Sequence, residues 1–271
     1  MAWLSWIDAV EAGDYGGTQD EDGTGRFFNR ITSSPKLLRE FLFLDGEPMH
    51  EGDIANCQPL IFCTYLHEHF GANMPTKVRE FITECENGTI YATIRKLVVT
   101  PSEQALLSES DFKTLFFAKI FYSTEKRDWA WRKKFATAYP EVSKHITTMK
   151  QEGYKDMPRA LSRKESEIML HGVAAKLLAA GAAFVTLHDA IYATVEWLPL
   201  VQRLICEEFA LHSVGVTIKP PKTLPVAVVP AAPTDDELIA RLEAGFAAIG
   251  TDEFIDELEA VGTSCDEDFW A

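Results

Sequence analysis

Two aspartates far apart in the chain occupy places where a carboxylate can do chemistry. Asp53 ends a short predicted strand and a helix follows at once, while Asp189 sits with His188 between two β-branched runs, at the tip of a predicted hairpin. Each position fixes a carboxylate on rigid backbone and points it outward. Two such acids can share two Mg²⁺ ions, with Mn²⁺ as a substitute. Phosphoryl transfer uses this arrangement, because ions about 3.5–4 Å apart stabilise both the attacking and the leaving oxygen, and hard cations prefer carboxylate oxygen. Taken singly, Asp53 also fits a helix N-cap and Asp189 an ordinary turn residue. Lys113 lies among aromatic residues on an intervening helix, where an ammonium can neutralise phosphate charge.

The elements that must position these residues follow from periodicity. Residues 1–23 are rich in Gly and Asp after a short apolar start and are expected to form an N-terminal arm. From Pro35 the chain reads as a short helix, a turn at Asp45-Gly46-Glu47-Pro48 and the strand that ends on Asp53. Apolar spacing predicts helices over 59–70, 76–85, 90–98, 108–122, 129–137 and 141–150, and the stretch from about 75 to 150 forms a helical insert. A helix over 161–180 leads into strands 183–187 and 190–195 around His188-Asp189; a helix over 198–212 and a Pro- and Val-rich passage with a strand over 225–229 follow. Residues 234–271 read as two short amphipathic helices with acidic outer faces. The plan is α+β: a small antiparallel sheet presents acids from two distant segments.

Four segments in order carry a family resemblance. They are Thr24-Gly25-Arg26; Asp53-Ile54-Ala55-Asn56-Cys57-Gln58; Lys113, Phe117 and Phe121 at four-residue spacing with Tyr122; and Leu187-His188-Asp189. Together they resemble the TGR motif, motif A, fingers helix and motif C of the DNA polymerase I family, over about residues 24–212. The resemblance implies a polymerase-type palm over residues 24–233 with helical fingers, related to single-subunit phage RNA polymerases. It implies a template-dependent nucleotidyltransferase in which Asp53 and Asp189 hold the metal ions and act with Lys113 in catalysis.

Nucleotide contacts are then expected from Lys113, Phe117, Phe121, Tyr122 and Gln58. Lys113 would meet the triphosphate, Phe117 the incoming base, and Phe121 or Tyr122 the templating position. Gln58 stands in place of a Glu that blocks the ribose 2′-hydroxyl, which favours dNTPs; its amide can also hydrogen-bond a hydroxyl, which leaves ribonucleotides open. Arg26, Arg30, Arg163 and His188 are expected along primer and template. Arg127, Arg132 and Lys133 belong to a basic run, Lys119 to Phe135, interleaved with Trp129 and Trp131. That run fits either a track for single-stranded template or a solvated helix face packed by its tryptophans.

The chain departs from the family pattern at Ala190, where motif C usually carries Glu, and it lacks the usual Gln at the start of the helix before the hairpin. Too few residues precede Thr24 for a thumb or an exonuclease domain, so short-patch synthesis, primer making or a thumb supplied by a partner is expected in place of processive replication. Rival readings are a primase or RNA polymerase on the same palm, a non-catalytic replication-associated binding module, and a metal-dependent nuclease. A decayed palm has no reason to keep Asp53, Asp189 and Lys113 together, and a nuclease would call for further clustered His or Asp.

Charge at first argues against a DNA template as partner, since the chain carries a formal −15. From Asp235 onward, however, twelve acidic residues face the single Arg241, which leaves −11 on the tail and −4 on the rest. The tail fits a solvated segment or a docking site for a protein partner. The five cysteines show no paired metal-ligand spacing, no stretch has the length and apolarity of a membrane span, and the N-terminus lacks a basic flank, so a cytoplasmic protein is expected.

Overall fold

The computed structural model describes residues 9–220, apart from 11, 15, 21–22, 33, 35–41, 45, 105, 123–129, 152 and 154. The short helix predicted from Pro35, the residues Arg127 and Trp129, the strand predicted over 225–229 and the acidic tail all lie outside the described residues. The chain divides into the units Met1–Lys222 and Thr223–Ala271, and the architecture below is that of the first.

Its centre is a three-stranded antiparallel sheet. β5 (His50–Asp53) pairs with β7 (Ala190–Ala193), which pairs with β6 (Phe184–Leu187), giving the order β5-β7-β6. Two small hairpins precede it, β1 (Thr18–Gln19) with β2 (Phe27–Phe28) and β3 (Phe43–Leu44) with β4 (Glu47–Pro48). β1 lies within the stretch expected to be an arm; its partner lies just past Arg26, and the turn between them is held by Asp20, which accepts from the Thr24 N–H at 2.7 Å and the Gly23 N–H at 3.0 Å. Mixed helix and small antiparallel sheets make the α+β class.

Helix α1 (Cys57–Phe70) runs through the core, with Leu60, Ile61, Phe62, Cys63 and Leu66 all fully buried. A stretch buried nearly all round, as 57–66 is, has to be covered on every side. α2 (Thr76–Glu86) and α7 (Asp156–Ser166) pack directly on α1, and α3 (Ile90–Val98), α4 (Glu109–Phe116), α5 (Ala130–Ala138) and α6 (Pro140–Thr148) complete the same apolar core. α8 (Leu198–Leu211) lies against the sheet, where a Cβ on Gly52 would come within 3.0 Å of Val201 Cγ1. The helical insert packs through aromatic edges: Phe62 meets Phe81 and Phe121 at centroid distances of 6.2 and 5.3 Å, both T-shaped.

Two helices loosen into wide π turns. α4, started by a Ser108–Asp111 capping box, continues as Phe117–Phe121, and the Tyr122 N–H donates to the Phe117 carbonyl five residues back at 2.8 Å. α7 continues as Glu167–Ala174 before a last α-helical stretch, Ala175–Ala179.

Candidate active site

Register brings the two aspartates together. Asp53 stands opposite Ala190 in the β5–β7 ladder, and Leu187 stands opposite the same Ala190 in the hairpin, so His188-Asp189 is a two-residue turn beside Asp53. His188 takes φ 53°, the positive φ such hairpin turns require. Side chains alternate along a strand, so Asp53 points away from the sheet face on which Gly52 admits α8. Asp53 does not cap α1, whose N-cap is Asn56 at φ 54°, ψ 40°. Asp189 does hold a turn position, as the simpler reading of it required.

Charge couples the pair. Asp189 is held above the ordinary carboxylate range, first by burial and next by the negative charge of Asp53, with Lys219 and Arg26 opposing. Cys57, buried at the first position of α1, has its thiol pushed well up by burial and then by Asp189, Glu165 and Asp53. The three acids therefore converge on the start of α1. Among the described residues no group of three or more His, Cys, Asp or Glu is disposed to hold a metal ion; Asp53 and Asp189 form a pair.

A second polar cluster adjoins the pair. Glu165 on α7 is 2% exposed and accepts from Arg26 Nε at 2.9 Å and Nη2 at 3.1 Å, and from Gln58 Nε2 at 2.5 Å. The Gln58 Oε1 accepts in turn from the Tyr122 hydroxyl at 3.3 Å. Burial raises the Glu165 carboxyl to about 7 against the pull of Arg26. Burial likewise raises the Tyr122 phenol, and Glu165 adds to it. The loop that delivers Arg26 is seated on α7: the Ser166 hydroxyl donates to the Thr24 carbonyl at 3.2 Å, and a Cβ on Gly25, at φ 71°, would lie 3.3 Å from Ser166 Cβ.

The residues expected on a fingers helix divide into two groups. Lys113 is exposed, with Nζ 5.3 Å from the centroid of the Tyr91 ring, and the Tyr91 phenol feels the charge of Asp189 after burial and nearer neighbours. Phe117 is half-buried and stacks on Tyr122 at 5.1 Å and 21°. Phe121, by contrast, is fully enclosed by Phe62, Phe116 and Phe117. The expectation that it borders a nucleotide is corrected: the π turn rotates it into the core and leaves Tyr122 facing Gln58.

The expected nucleic-acid contacts are dispersed. Arg26 is taken up by Glu165, Arg30 pairs with Asp14 at 2.7 Å, and the exposed Arg163 donates from Nε to the Gly23 carbonyl at 2.5 Å. His188 meets Phe28 edge-on at 5.8 Å, beside the acids. Arg132 and the exposed Lys133 sit on α5. Trp131 of the same helix is core, packed against Phe112 at 5.7 Å and covered by Lys119, so the basic aromatic surface loses that ring.

Sequence reading did not single out Glu165 or Lys219. Lys219 makes a salt bridge with Asp53, and its backbone N–H donates to the Asp53 carbonyl at 2.9 Å. Neither residue stands in a motif; an isolated bridge, Ile54 with Ile218, is what draws the second one in.

No family model and no curated protein matches the chain. Among solved structures it is similar to the POL domain of Pol1 from M. smegmatis in complex with DNA primer-template and dNTP, at 11% identity and a TM-score of 0.42, covering 79% of this chain and 48% of that one. The chain thus spans about half the length of that structure. No helix among the described residues is long and apolar enough to cross a membrane.

Proposed function

We propose that this protein is a template-dependent nucleotidyltransferase, a minimal DNA polymerase that extends a 3′-hydroxyl with dNTPs. The observation that carries the reading is the β5–β7 register, which sets Asp53 beside Asp189 although the two charges oppose each other. Lys219 offsets part of that repulsion, and two hard carboxylates side by side fit Mg²⁺ or Mn²⁺. Asp53 and Asp189 would hold the ions, which would supply Lewis-acid stabilisation of the attacking hydroxyl and of charge on the leaving oxygens.

The chain's own residues supply the remainder. Lys113 offers an ammonium to the triphosphate, and the Phe117–Tyr122 stack offers a flat apolar face to a base. Gln58, its amide fixed between Glu165 and Tyr122, forms a wall against the 2′-position, which favours dNTPs over ribonucleotides. Arg26, Arg163, His188, Arg132 and Lys133 would contact primer or template once DNA is bound.

The test is extension of a labelled primer on a DNA template by the full chain with Mg²⁺, with dNTPs, with ribonucleotides and without primer. Extension is expected with dNTPs and primer, and Asp189→Asn is expected to abolish it while raising stability by about 0.5–1 kcal/mol through relief of the repulsion. Unprimed synthesis would shift the assignment to a primase. Failure to incorporate under any condition would overturn it in favour of a non-catalytic binding module.

A further inference from the structure

Resting on that reading, we propose that Lys219 is a tethered counter-ion of the metal site: it occupies the Asp53 carboxylate when no divalent cation is bound, and it is displaced when one enters. The segment that carries it is fixed at its backbone. The Ala55 N–H donates to the Thr217 carbonyl at 3.0 Å, Ile54 bridges Ile218, and the Lys219 N–H donates to the Asp53 carbonyl at 2.9 Å. The far side of the segment is tied to the end of α2, where the Gly215 N–H donates to Glu86 Oε1 at 2.7 Å and the Thr217 hydroxyl to the Glu86 carbonyl at 2.6 Å.

The side chain is held differently. Lys219 is 45% exposed, its ammonium sits on Asp53 Oδ2, and Asp53 is 18% exposed. An ammonium and a divalent ion cannot both sit on one carboxylate oxygen without strong repulsion. The lysine is the one able to leave, because its four-carbon stem swings into solvent while its backbone stays in the ladder. What it gives up is a half-exposed ion pair, whereas a divalent ion gains Asp53 and Asp189 together. In the metal-free protein, the lysine keeps Asp53 ordered and offsets the repulsion from Asp189.

A purely supporting role makes the opposite prediction for metal affinity, so the sign decides. Mn²⁺ binding to the full chain is followed by the loss of the free-ion electron paramagnetic resonance signal, for wild type, Lys219→Met, Lys219→Gln, Lys219→Arg and Asp53→Asn/Asp189→Asn, each first checked for a cooperative thermal transition. Lys219→Met and Lys219→Gln are expected to bind about threefold tighter than wild type, the order set by removing one half-exposed ion pair, with Lys219→Arg close to wild type. Equal or weaker binding in both neutral variants would overturn the proposal and leave the metal site standing. A wild type that binds no more Mn²⁺ than the double Asn variant would overturn the metal site itself, and the proposal with it.

Discussion

Arg26 and Glu165, 139 residues apart in sequence, meet as a two-point ion pair with Nε and Nη2 at 2.9 and 3.1 Å from the two carboxylate oxygens. The pair ties the loop of the first hairpin to the helix that leads into the β6–β7 turn, and through Gln58 it reaches the first turns of α1. A residue expected to face DNA is thus also a structural clamp.

Removing one side of this clamp leaves a buried carboxylate unpaired. Arg26→Ala is expected to cost about 3 kcal/mol at pH 8, measured by urea unfolding, and Arg26→Met/Glu165→Met to recover most of it. A cost within about 0.5 kcal/mol for Arg26→Ala would show that Glu165 carries no stranded charge.

The pH dependence of stability contains two opposing contributions. Burial raises the Glu165 carboxyl from 4.5 to about 7, so the folded state holds the extra proton and this contribution is lost as pH rises from about 4.5 through 7. His145 is lowered from 6.5 to about 4 by burial and by His69, so its contribution is present above 6.5 and lost as pH falls toward 4. Urea unfolding at intervals between pH 4.5 and 7.5 separates them. Glu165→Gln is expected to remove a decline on the order of 2–3 kcal/mol toward neutral pH, and His145→Leu to remove a decline toward acid pH. Parallel profiles for wild type and Glu165→Gln would mean that the Glu165 carboxyl titrates normally in the fold.

Lys113 and Phe121, two turns apart on one helical run, are expected to fail in different ways. Lys113→Ala, at an exposed site whose contact is the Tyr91 ring, should leave the melting temperature within a degree or two and reduce nucleotide incorporation by about a hundredfold. Phe121→Ala should cost about 3–5 kcal/mol by opening a cavity beside Phe62 and Phe116. A large stability loss in Lys113→Ala would place that lysine in the scaffold.

Legibility in the sequence followed the range of the interactions. The strand ending on Asp53, the turn carrying Asp189 and most helices are set by local period and turn chemistry, and those elements stand within a few residues of their expected places. Phe121 was misread because a strict four-residue spacing assumes an unbroken α-helix, and the wide turn at Phe117–Phe121 breaks that assumption. Trp131 packs into the core, in line with the reading of that run as a helix face packed by its tryptophans; a basic neighbourhood alone does not decide which way one ring turns. The roles of Glu165 and Lys219 are not legible locally because their partners, Arg26 and Asp53, lie 139 and 166 residues away, and no local pattern encodes such a meeting.

The wide turn also changes what kind of genetic change this helix can bear. A π turn amounts to one residue more than the α-helical count, and each residue advances a helix by about 100°. An in-frame loss of one codon within 117–121 would keep the composition nearly intact and leave a smoother helix, yet it would swing Tyr122 off Gln58. Most single substitutions there should be milder than that deletion, because the alignment of this helix on α1 is stored as chain length.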